Sequence, residues 1–249
     1  MTPDRPNRRG RLPDVPWSDP ATGPADLPLG YGRALTPDLL RKAYAAGVFP
    51  WYNPGEPVLW WSPDPRAVIE LNGLHVSRRL ARTIRSGTFR TTVNQAFGAV
   101  MIGCGEGRPE GTWVHDEMVA AYTALHAEGD AHSVEVWAPT DAGAWELVGG
   151  VYGVAVGGLF AGESMFHRRT DASKVALVAL VERLRAREFV LFDVQMTTEH
   201  TERMGAVNIP RAEYLARLRE AVTLTQVRFA EEEPPPAGES PAEPASSPG

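Results

Sequence analysis

The sequence predicts an α+β fold, and three features of its second half support that prediction. Apolar and polar residues alternate over 145–152 and 154–161, after a turn near 140–143, as they do in an antiparallel meander. An Ala-, Leu- and Val-rich stretch at 172–187 has helical spacing. It is followed by an apolar run at 189–194 that is typical of a buried strand.

The first predicted helix begins after Thr36, which has the character of an N-cap in front of a proline at the first helical position. Apolar residues then recur at helical spacing until Gly47, which is expected to end the helix. The next segment, 49–65, is dense in Pro and Trp and has no single period. It therefore predicts a rigid aromatic loop.

Further helices are predicted in the middle and at the end of the chain. Ser77 is expected to cap an Arg-rich helix that runs to Arg85, and a short strand follows it. Asn94 is expected to cap the next helix, and residues 116–127 show helical periodicity. Pro210 opens the final helix.

The two ends of the chain differ in composition from its body. Seven of the 22 prolines lie in residues 1–28 and six in residues 229–249, and both flanks have few apolar residues. Such segments bury too little apolar surface to offset the entropy of ordering, so both flanks are predicted to be disordered. The last flank also carries five Glu and no Lys or Arg, so most of the net charge of -6 belongs to it. The nearly neutral body permits an anionic partner such as RNA.

Composition and missing motifs exclude several classes of protein. The single cysteine, Cys104, cannot form an intramolecular disulfide or a thiolate cage for a metal. No apolar run reaches the length of a membrane span, and no signal-peptide pattern is present, so a cytoplasmic protein without membrane contact is expected. Because the sequence also lacks a dinucleotide fingerprint, a Walker A loop and an H-E-x-x-H motif, no cofactor and no metal is expected.

Ordered motifs over residues 28–220 resemble the leucyl/phenylalanyl-tRNA–protein transferase family. The motifs are Gly47-Val-Phe-Pro-Trp51, Trp60-Trp-Ser-Pro-Asp-Pro-Arg66, Gly111-Thr-Trp113, Ala131-His-Ser-Val-Glu135, Leu147-Val-Gly-Gly150, Gly162-Glu-Ser-Met-Phe166, Ala172-Ser-Lys174, Phe192-Asp-Val-Gln195, Gly205-Ala206 and Ile209-Pro-Arg211. Any one of these short motifs would be weak evidence. Their shared order along most of the body makes the resemblance specific.

The resemblance implies a fold, a domain organisation and an activity. The fold would be an N-acetyltransferase-like (GNAT-type) acyltransferase domain at 65–228, preceded by a small N-terminal α/β domain at 28–64, with disordered flanks at 1–27 and 229–249. The enzyme would transfer Leu or Phe, with Met conceivable, from aminoacyl-tRNA to the N-terminal Arg or Lys of an acceptor protein. That transfer would mark the acceptor for N-degron-dependent degradation. Neither a cofactor nor DNA is implied.

The same resemblance implies a reaction centre at Asp193 and Gln195, which strand alternation puts on one face. The donor is an activated ester and the attacking α-amine has an ordinary pKa of about 7.7–8.0, so positioning can supply most of the catalysis. We expect Asp193 to bind the incoming amine or its neighbouring cationic side chain, and Gln195 to contact the ester. Glu163 is a further catalytic candidate, because its carboxylate would recognise the Arg or Lys of the acceptor. For Asp193 alone, a carboxylate that caps a turn is the ordinary alternative.

Substrate-binding residues are implied in two groups. Trp51 and Trp113 match aromatic positions around the terminal adenosine of tRNA, where stacking on a ring is worth about 1–3 kcal/mol. Phe160, Met165 and Phe192 are candidates for the apolar pocket that takes the Leu or Phe side chain. Core packing is the alternative for each of these five residues.

Three arginines, Arg78, Arg82 and Arg85, recur at helical spacing and would present their guanidinium groups along one face. The resemblance implies that they bind backbone phosphates of the tRNA acceptor stem. Two other functions remain open. An N-acetyltransferase of related fold is the first, although its pyrophosphate loop is not evident, and a noncatalytic RNA-binding module that needs neither Asp193 nor Gln195 is the second.

Overall fold

The computed structural model describes residues 15–32, 34–106, 112 and 114–229. The helices of this part of the chain are α1 (Pro37–Ala45), α2 (Arg78–Arg85), α3 (Phe97–Gly105), α4 (Asp116–Ala127), α5 (Ala172–Ala186), α6 (Glu199–Arg203) and α7 (Arg211–Ala221). The strands are β1 (Gly30–Gly32), β2 (Phe49–Pro50), β3 (Val58–Trp61), β4 (Arg66–Ile69), β5 (Arg90–Val93), β6 (Ala131–Pro139), β7 (Trp145–Val156), β8 (Leu159–His167), β9 (Leu191–Gln195) and β10 (Ala206–Ile209). The predicted α+β class is confirmed.

Two sheets organise these elements. A small sheet has the order β1-β3-β2, and a seven-stranded sheet has the order β10-β4-β9-β8-β7-β6-β5. All pairs in the large sheet are antiparallel except β8 with β9, which are parallel and joined through α5. One core, which includes residues of α1, α3, α4 and α7, packs on one face of the large sheet, and a second core built on α5 packs on the other.

Helix capping follows the sequence at α1 and α2. The Thr36 hydroxyl accepts a hydrogen bond from the Leu39 N–H, and the Ser77 hydroxyl accepts one from the Leu80 N–H. Asn94 differs from the prediction, because it does not cap α3. It has a φ of 60° and its side-chain oxygen accepts a hydrogen bond from the Ser133 N–H, so it joins the end of β5 to β6.

The meander differs from its predicted pattern at Gly153. The sequence predicts a break there, but β7 continues through it to Val156, and the turn falls at Gly157, whose φ is 56°. Gly153 faces a register shift between β7 and β8, and a Cβ atom built on it would lie 2.2 Å from the Ala161 carbonyl oxygen. The glycine therefore marks a close strand approach at a bulge and not a turn.

Two segments that the sequence predicts to be irregular or disordered belong to the small N-terminal sheet or pack on it. Residues 49–65, expected as an aromatic loop, contain β2 and β3, which pair through Phe49 with Trp61. Residues 15–27, expected in a disordered flank, pack on this sheet, because the Trp17 ring lies 4.8 Å from the Trp60 ring and both are buried. Predicted disorder at 1–14 and 230–249 lies outside the described residues.

No helix in the described part of the chain is long and apolar enough to cross a membrane. Likewise, the described residues contain no group of three or more His, Cys, Asp or Glu side chains that could hold a metal ion.

Candidate active site

A cavity of about 600 Å³ opens where β8 and β9 separate. Their parallel pairing runs from Leu159 with Leu191 to Ala161 with Asp193 and then stops. Two irregularities separate the strands beyond this point. Glu163 is the extra residue of the bulge in β8, because Gly162 and Ser164 pair with consecutive residues of β7. Gln195, at the end of β9, has a left-handed backbone with a φ of 58°.

The cavity has an apolar floor and a polar wall. The apolar residues that line the cavity are Val151, Met165, Leu177, Phe192, Val194, Phe49, Pro50, Trp51 and Met196. The polar lining consists of Glu163, Ser164, His167, Ser173, Gln195, Thr198, His200 and Thr201, together with the backbone of Gly162. This division suits a ligand that has an apolar side chain beside a polar reacting group.

Asp193 lies behind the cavity wall and is fully occupied by protein groups. Its Oδ1 accepts from Arg66 Nε at 2.8 Å and its Oδ2 from Arg66 Nη2 at 2.6 Å, and both side chains are 0% exposed. The Tyr214 hydroxyl donates a third hydrogen bond at 2.9 Å, and the Gln195 N–H donates a fourth at 2.9 Å. Arg66 also donates to the Gly47 carbonyl oxygen at 3.0 Å, which ties the end of α1 to the large sheet.

This arrangement fixes the position of Gln195. A left-handed conformation is uncommon for a residue with a side chain, and it persists only where the surroundings hold it. Here the Asp193 carboxylate holds the Gln195 N–H, and the side-chain amide then donates to Glu163 Oε1 at 3.0 Å. The interactions therefore run from Arg66 through Asp193 and Gln195 to Glu163.

Glu163 is the acidic group that lines the cavity, and its other oxygen faces two buried tyrosines. The Tyr122 hydroxyl donates to Glu163 Oε2 at 3.3 Å, and it forms a short hydrogen bond with the Tyr44 hydroxyl. Burial raises the pKa of Glu163 to about 7, and hydrogen bonding to Tyr44 and Tyr122 opposes that rise. Near neutral pH the carboxyl group is therefore divided between its neutral form and an anion that can bind a cation.

The structure brings most of the predicted site residues together, with three differences. Glu163, Gln195, Met165, Phe192 and Trp51 all line the cavity. Trp51 is 41% exposed at its rim, and its carbonyl oxygen accepts a hydrogen bond from the Trp61 indole at 2.8 Å. Trp113 lies outside the described residues.

The other two differences concern Asp193 and Phe160. Asp193 is fully buried and does not line the cavity, and its carboxylate is occupied by Arg66, Tyr214 and the Gln195 N–H. Phe160 is 1% exposed and does not line the cavity. Its ring stacks 5.2 Å from Phe229 and meets Phe189 edge-on at 6.3 Å, and these contacts bury it in the second core.

The three predicted tRNA-binding arginines lie outside the cavity on α2. Arg78, Arg82 and Arg85 are exposed, and Leu80 is the buried residue that anchors the helix. A neighbouring arginine, Arg79, lies 3.8 Å from Asp171, the residue that precedes α5. The basic surface of α2 is thereby joined to the end of α5 that borders the cavity.

Several residues of the site carry no clear signal in the sequence. Arg66 ends one of the family-like motifs, but nothing in the motif indicates that it holds Asp193 from 127 positions away. Tyr44, Tyr122 and Tyr214 have the spacing of ordinary core residues on helices. His200 lines the cavity, although a histidine at a helix start is more often a scaffold residue than a functional one.

Comparisons with known proteins identify the family of the chain. The family model described as "Leucyl/phenylalanyl-tRNA protein transferase" matches residues 68–219, and the model described as its N-terminal domain matches residues 33–64. A protein of Anaeromyxobacter sp. (strain Fw109-5), named leucyl/phenylalanyl-tRNA–protein transferase, is 50% identical over 222 residues, which are 88% of this chain and 92% of that relative. A relative of the same name from Magnetococcus marinus is 51% identical over 192 residues, 77% of this chain and 82% of its own.

Solved structures resemble the chain weakly. "The structure of L-PGS from Bacillus licheniformis" aligns with a TM-score of 0.36 and 10% identity, over 61% of this chain and 48% of that chain. A tandem GNAT protein from the clavulanic acid biosynthesis pathway aligns with a TM-score of 0.29 and 14% identity, over 77% of this chain and 57% of that chain. The assignment to a family rests instead on the two family models, which together match most of the chain. The chain belongs to the leucyl/phenylalanyl-tRNA–protein transferase family and is an aminoacyltransferase.

Proposed function

We propose that this enzyme transfers Leu or Phe, and more weakly Met, from aminoacyl-tRNA to the N-terminal Arg or Lys of acceptor proteins in the cytoplasm. The new peptide bond would mark the acceptor for N-degron-dependent degradation. One observation carries the proposal. On the wall of a cavity with an apolar floor, the side-chain amide of Gln195 donates a hydrogen bond to the titratable carboxyl group of Glu163, with 3.0 Å between Nε2 and Oε1.

The donor fits the apolar part of the cavity. Met165, Leu177 and Phe192 offer a surface on which an aromatic side chain, or an aliphatic one without a branch at Cβ, can pack. A single methylene changes binding by about 1–3 kcal/mol, so discrimination among Leu, Phe and Met would be graded and not absolute. The exposed ring of Trp51 at the rim would stack on the terminal adenine.

The acceptor fits the polar wall. Ionised Glu163 would bind the cationic side chain or the α-ammonium group of the acceptor, while Gln195 holds the carboxylate and the reacting ester in register. The neutral α-amine then attacks the ester carbonyl carbon. The bond from that carbon to the ribose oxygen breaks, the amine loses one proton, and the ribose oxygen gains one. Asp193 and Arg66 act through Gln195 and are positioning residues.

The deciding experiment mixes the purified protein with radiolabelled leucyl-tRNA and a peptide that begins with Arg. Parallel mixtures contain a peptide that begins with Ala, or acetyl-CoA in place of leucyl-tRNA. We expect label in the Arg peptide alone. Acetylation would support an N-acetyltransferase instead, and tRNA binding without any transfer would support a noncatalytic RNA-binding module.

A further inference from the structure

The start of α5 forms a polar end of the cavity that the transfer reaction does not use. His167, Ser173 and His200 line it. Ser173 is buried, and its hydroxyl lies 3.5 Å from His167 Nδ1, at the limit of a hydrogen bond. Leu177 lies one helical turn beyond Ser173 on the same face of α5, so this polar end adjoins the apolar floor.

His200 has an unused nitrogen at this end of the cavity. Its Nε2 atom is buried and has no hydrogen-bond partner among the described residues. A buried polar atom without a partner is unfavourable, and such atoms in native proteins call for an explanation. His200 lines the cavity, so a small turn of its ring would bring this nitrogen to a ligand atom there.

The charges around His200 favour an anion as that ligand. Burial lowers the pKa of His200, and the positive charges of Lys174, His167 and Arg203 lower it further. Asp171 is the nearest acid of the α5 start, and its carboxylate is shared by Lys174 at 3.0 Å and Arg79 at 3.8 Å. Arg203 is itself paired with Glu199, and Glu163 is the acid that lines the cavity, so the excess of positive charge lies at Asp171, where one acid faces two cations. The N-terminal end of the 15-residue helix α5 adds a positive partial charge.

This polar end also continues the basic surface of α2. Arg79 belongs to α2 and reaches Asp171, which holds Lys174 on the first turn of α5. A strand of RNA that crosses the exposed arginines of α2 would thus meet Lys174 before its end enters the cavity. If the terminal adenine stacks at the rim, its own 5′-phosphate is the anion nearest the polar end.

We propose that His167, Ser173, Lys174 and His200 bind the 5′-phosphate of the terminal adenosine of the aminoacyl-tRNA. The proposal rests on the proposed function and assigns one ligand group to a part of the same site. Ser173 and His200 would contact phosphate oxygens from within the cavity, and Lys174 would supply charge from its edge.

The test uses two unreactive inhibitors that differ by one phosphate. Each is 3′-amino-3′-deoxyadenosine with leucine in amide linkage, one with a free 5′-hydroxyl and one with a 5′-phosphate. Both compete with leucyl-tRNA for transfer to the Arg peptide. In the wild-type protein, the phosphate should strengthen inhibition about tenfold, the value of one charge-assisted hydrogen bond. In Lys174→Ala and His200→Ala this ratio should fall close to one, while the inhibitor without phosphate keeps its inhibition constant. Lys174→Arg should restore the ratio.

The controls separate this inference from the proposed function. Lys42, the other lysine of the chain, is also paired within one helical turn, to Asp38 at 2.9 Å, and Lys42→Ala should keep the wild-type ratio. A ratio near one in the wild-type protein, or an unchanged ratio in Lys174→Ala, would overturn the phosphate site. Equal weakening of both inhibitors would also overturn it, because that result indicates a general disturbance of the cavity. Absence of any transfer from leucyl-tRNA by the wild-type protein would instead remove the proposed function.

Discussion

The position of the Glu163 carboxyl group depends on an irregularity in β8. The bulge leaves this residue without a partner on β7 and turns its carboxyl group toward the cavity, Tyr122 and Gln195. Burial raises its pKa to about 7 from an ordinary value of 4.5. The folded protein therefore binds this proton more tightly than the unfolded chain does. The stability that follows is present below pH 4.5 and is lost as pH rises to about 7.

Glu163→Gln should remove this pH dependence. The variant keeps the side-chain volume but cannot ionise, so its melting temperature relative to wild type should increase as pH rises from about 5 to about 8. Transfer to an Arg peptide should fall at every pH, and the increase in rate through about pH 7 that belongs to Glu163 should disappear. Titration of the peptide α-amine is common to both proteins and serves as the internal control. A constant difference in melting temperature would contradict the assignment.

Arg66 and Arg217 allow a comparison of a buried ion pair with an exposed one. Arg66→Ala leaves Asp193 buried without its partner and should lower the free energy of unfolding by about 3–5 kcal/mol. Arg217→Ala breaks an exposed pair with Glu70 and should cost about 1 kcal/mol or less. Urea denaturation measures both. Equal effects would show that the Asp193 site tolerates an unpaired charge. The proposal that Arg66 and Asp193 hold Gln195 in position would then be contradicted.

At the scale of elements, α2 combines one buried leucine with an exposed basic face. Replacing Arg78, Arg82 or Arg85 by Ala should weaken binding of every cognate tRNA. Each substitution should also reduce the slope of log affinity against log salt by about 0.7–0.9, because one phosphate fewer is neutralised. Arg219→Ala, on the exposed side of α7, is the matched control. Filter binding over a series of salt concentrations gives the slopes. If the α2 variants keep the wild-type slope, the tRNA does not contact this helix.

Helix α3 contains two glycines in different surroundings. A Cβ atom at Gly103 would lie 2.8 Å from the Phe166 ring, whereas one at Gly98 would meet nothing within 4 Å. Gly103→Ala should therefore destabilise the protein by about 1–3 kcal/mol because the helix must move away from β8. Gly98→Ala should stabilise it by about 0.4–1 kcal/mol because alanine restricts the unfolded chain. Thermal denaturation distinguishes them, and a loss of stability in both variants would contradict the close packing of α3 on β8.

Elements with strong local signals are predictable from the sequence, and those that depend on distant partners are not. Thr36 and Ser77 cap α1 and α2 because a hydroxyl at the right place suffices for the local hydrogen bond. The four-residue strands β4 and β10 have no periodicity of their own and exist through pairing between distant parts of the chain, as between Ile69 and Ala206. Gly153 shows that a local signal can also mislead. A glycine required by a close approach of two strands cannot be distinguished in the sequence from a glycine in a turn.

In the candidate site, too, some residues are predictable from the sequence and others depend on distant partners. Gln195, Glu163 and Trp51 are identified through motifs, and the structure brings all three to one cavity. The burial of Asp193 is not predictable, because it depends on Arg66, which lies on a different strand. Phe160 and Met165 have opposite parity in the sequence, but the bulge at Glu163 places both on one face of β8, and only Met165, beyond the bulge, lines the cavity.

At the scale of the whole molecule, the small sheet and the large sheet share one core. Trp17, Trp60 and Tyr44 belong to the same buried cluster as Leu159 and Tyr214. Arg211, the first residue of α7, is buried and donates to the carbonyl oxygens of Gly23, Pro24 and Ser62 at 2.6, 2.7 and 2.5 Å. The small sheet is thereby attached to α7 by hydrogen bonds as well as by apolar packing, so we expect both sheets to unfold together.

Arg211→Met should weaken this attachment without dividing the molecule. The substitution keeps an apolar stem but leaves the carbonyl oxygens of Gly23, Pro24 and Ser62 without their donor, and because the contact with Ser62 is buried this should cost about 1–3 kcal/mol. Because the shared core remains, scanning calorimetry should show one transition at lower temperature, and tryptophan fluorescence should coincide with far-ultraviolet circular dichroism. Trp17, Trp60 and Trp61 report on the small sheet in the fluorescence signal. Arg219→Met on the exposed side of the same helix should leave the transition unchanged. Two separated transitions in the Arg211 variant would show that the guanidinium group, and not the common core, couples the sheets.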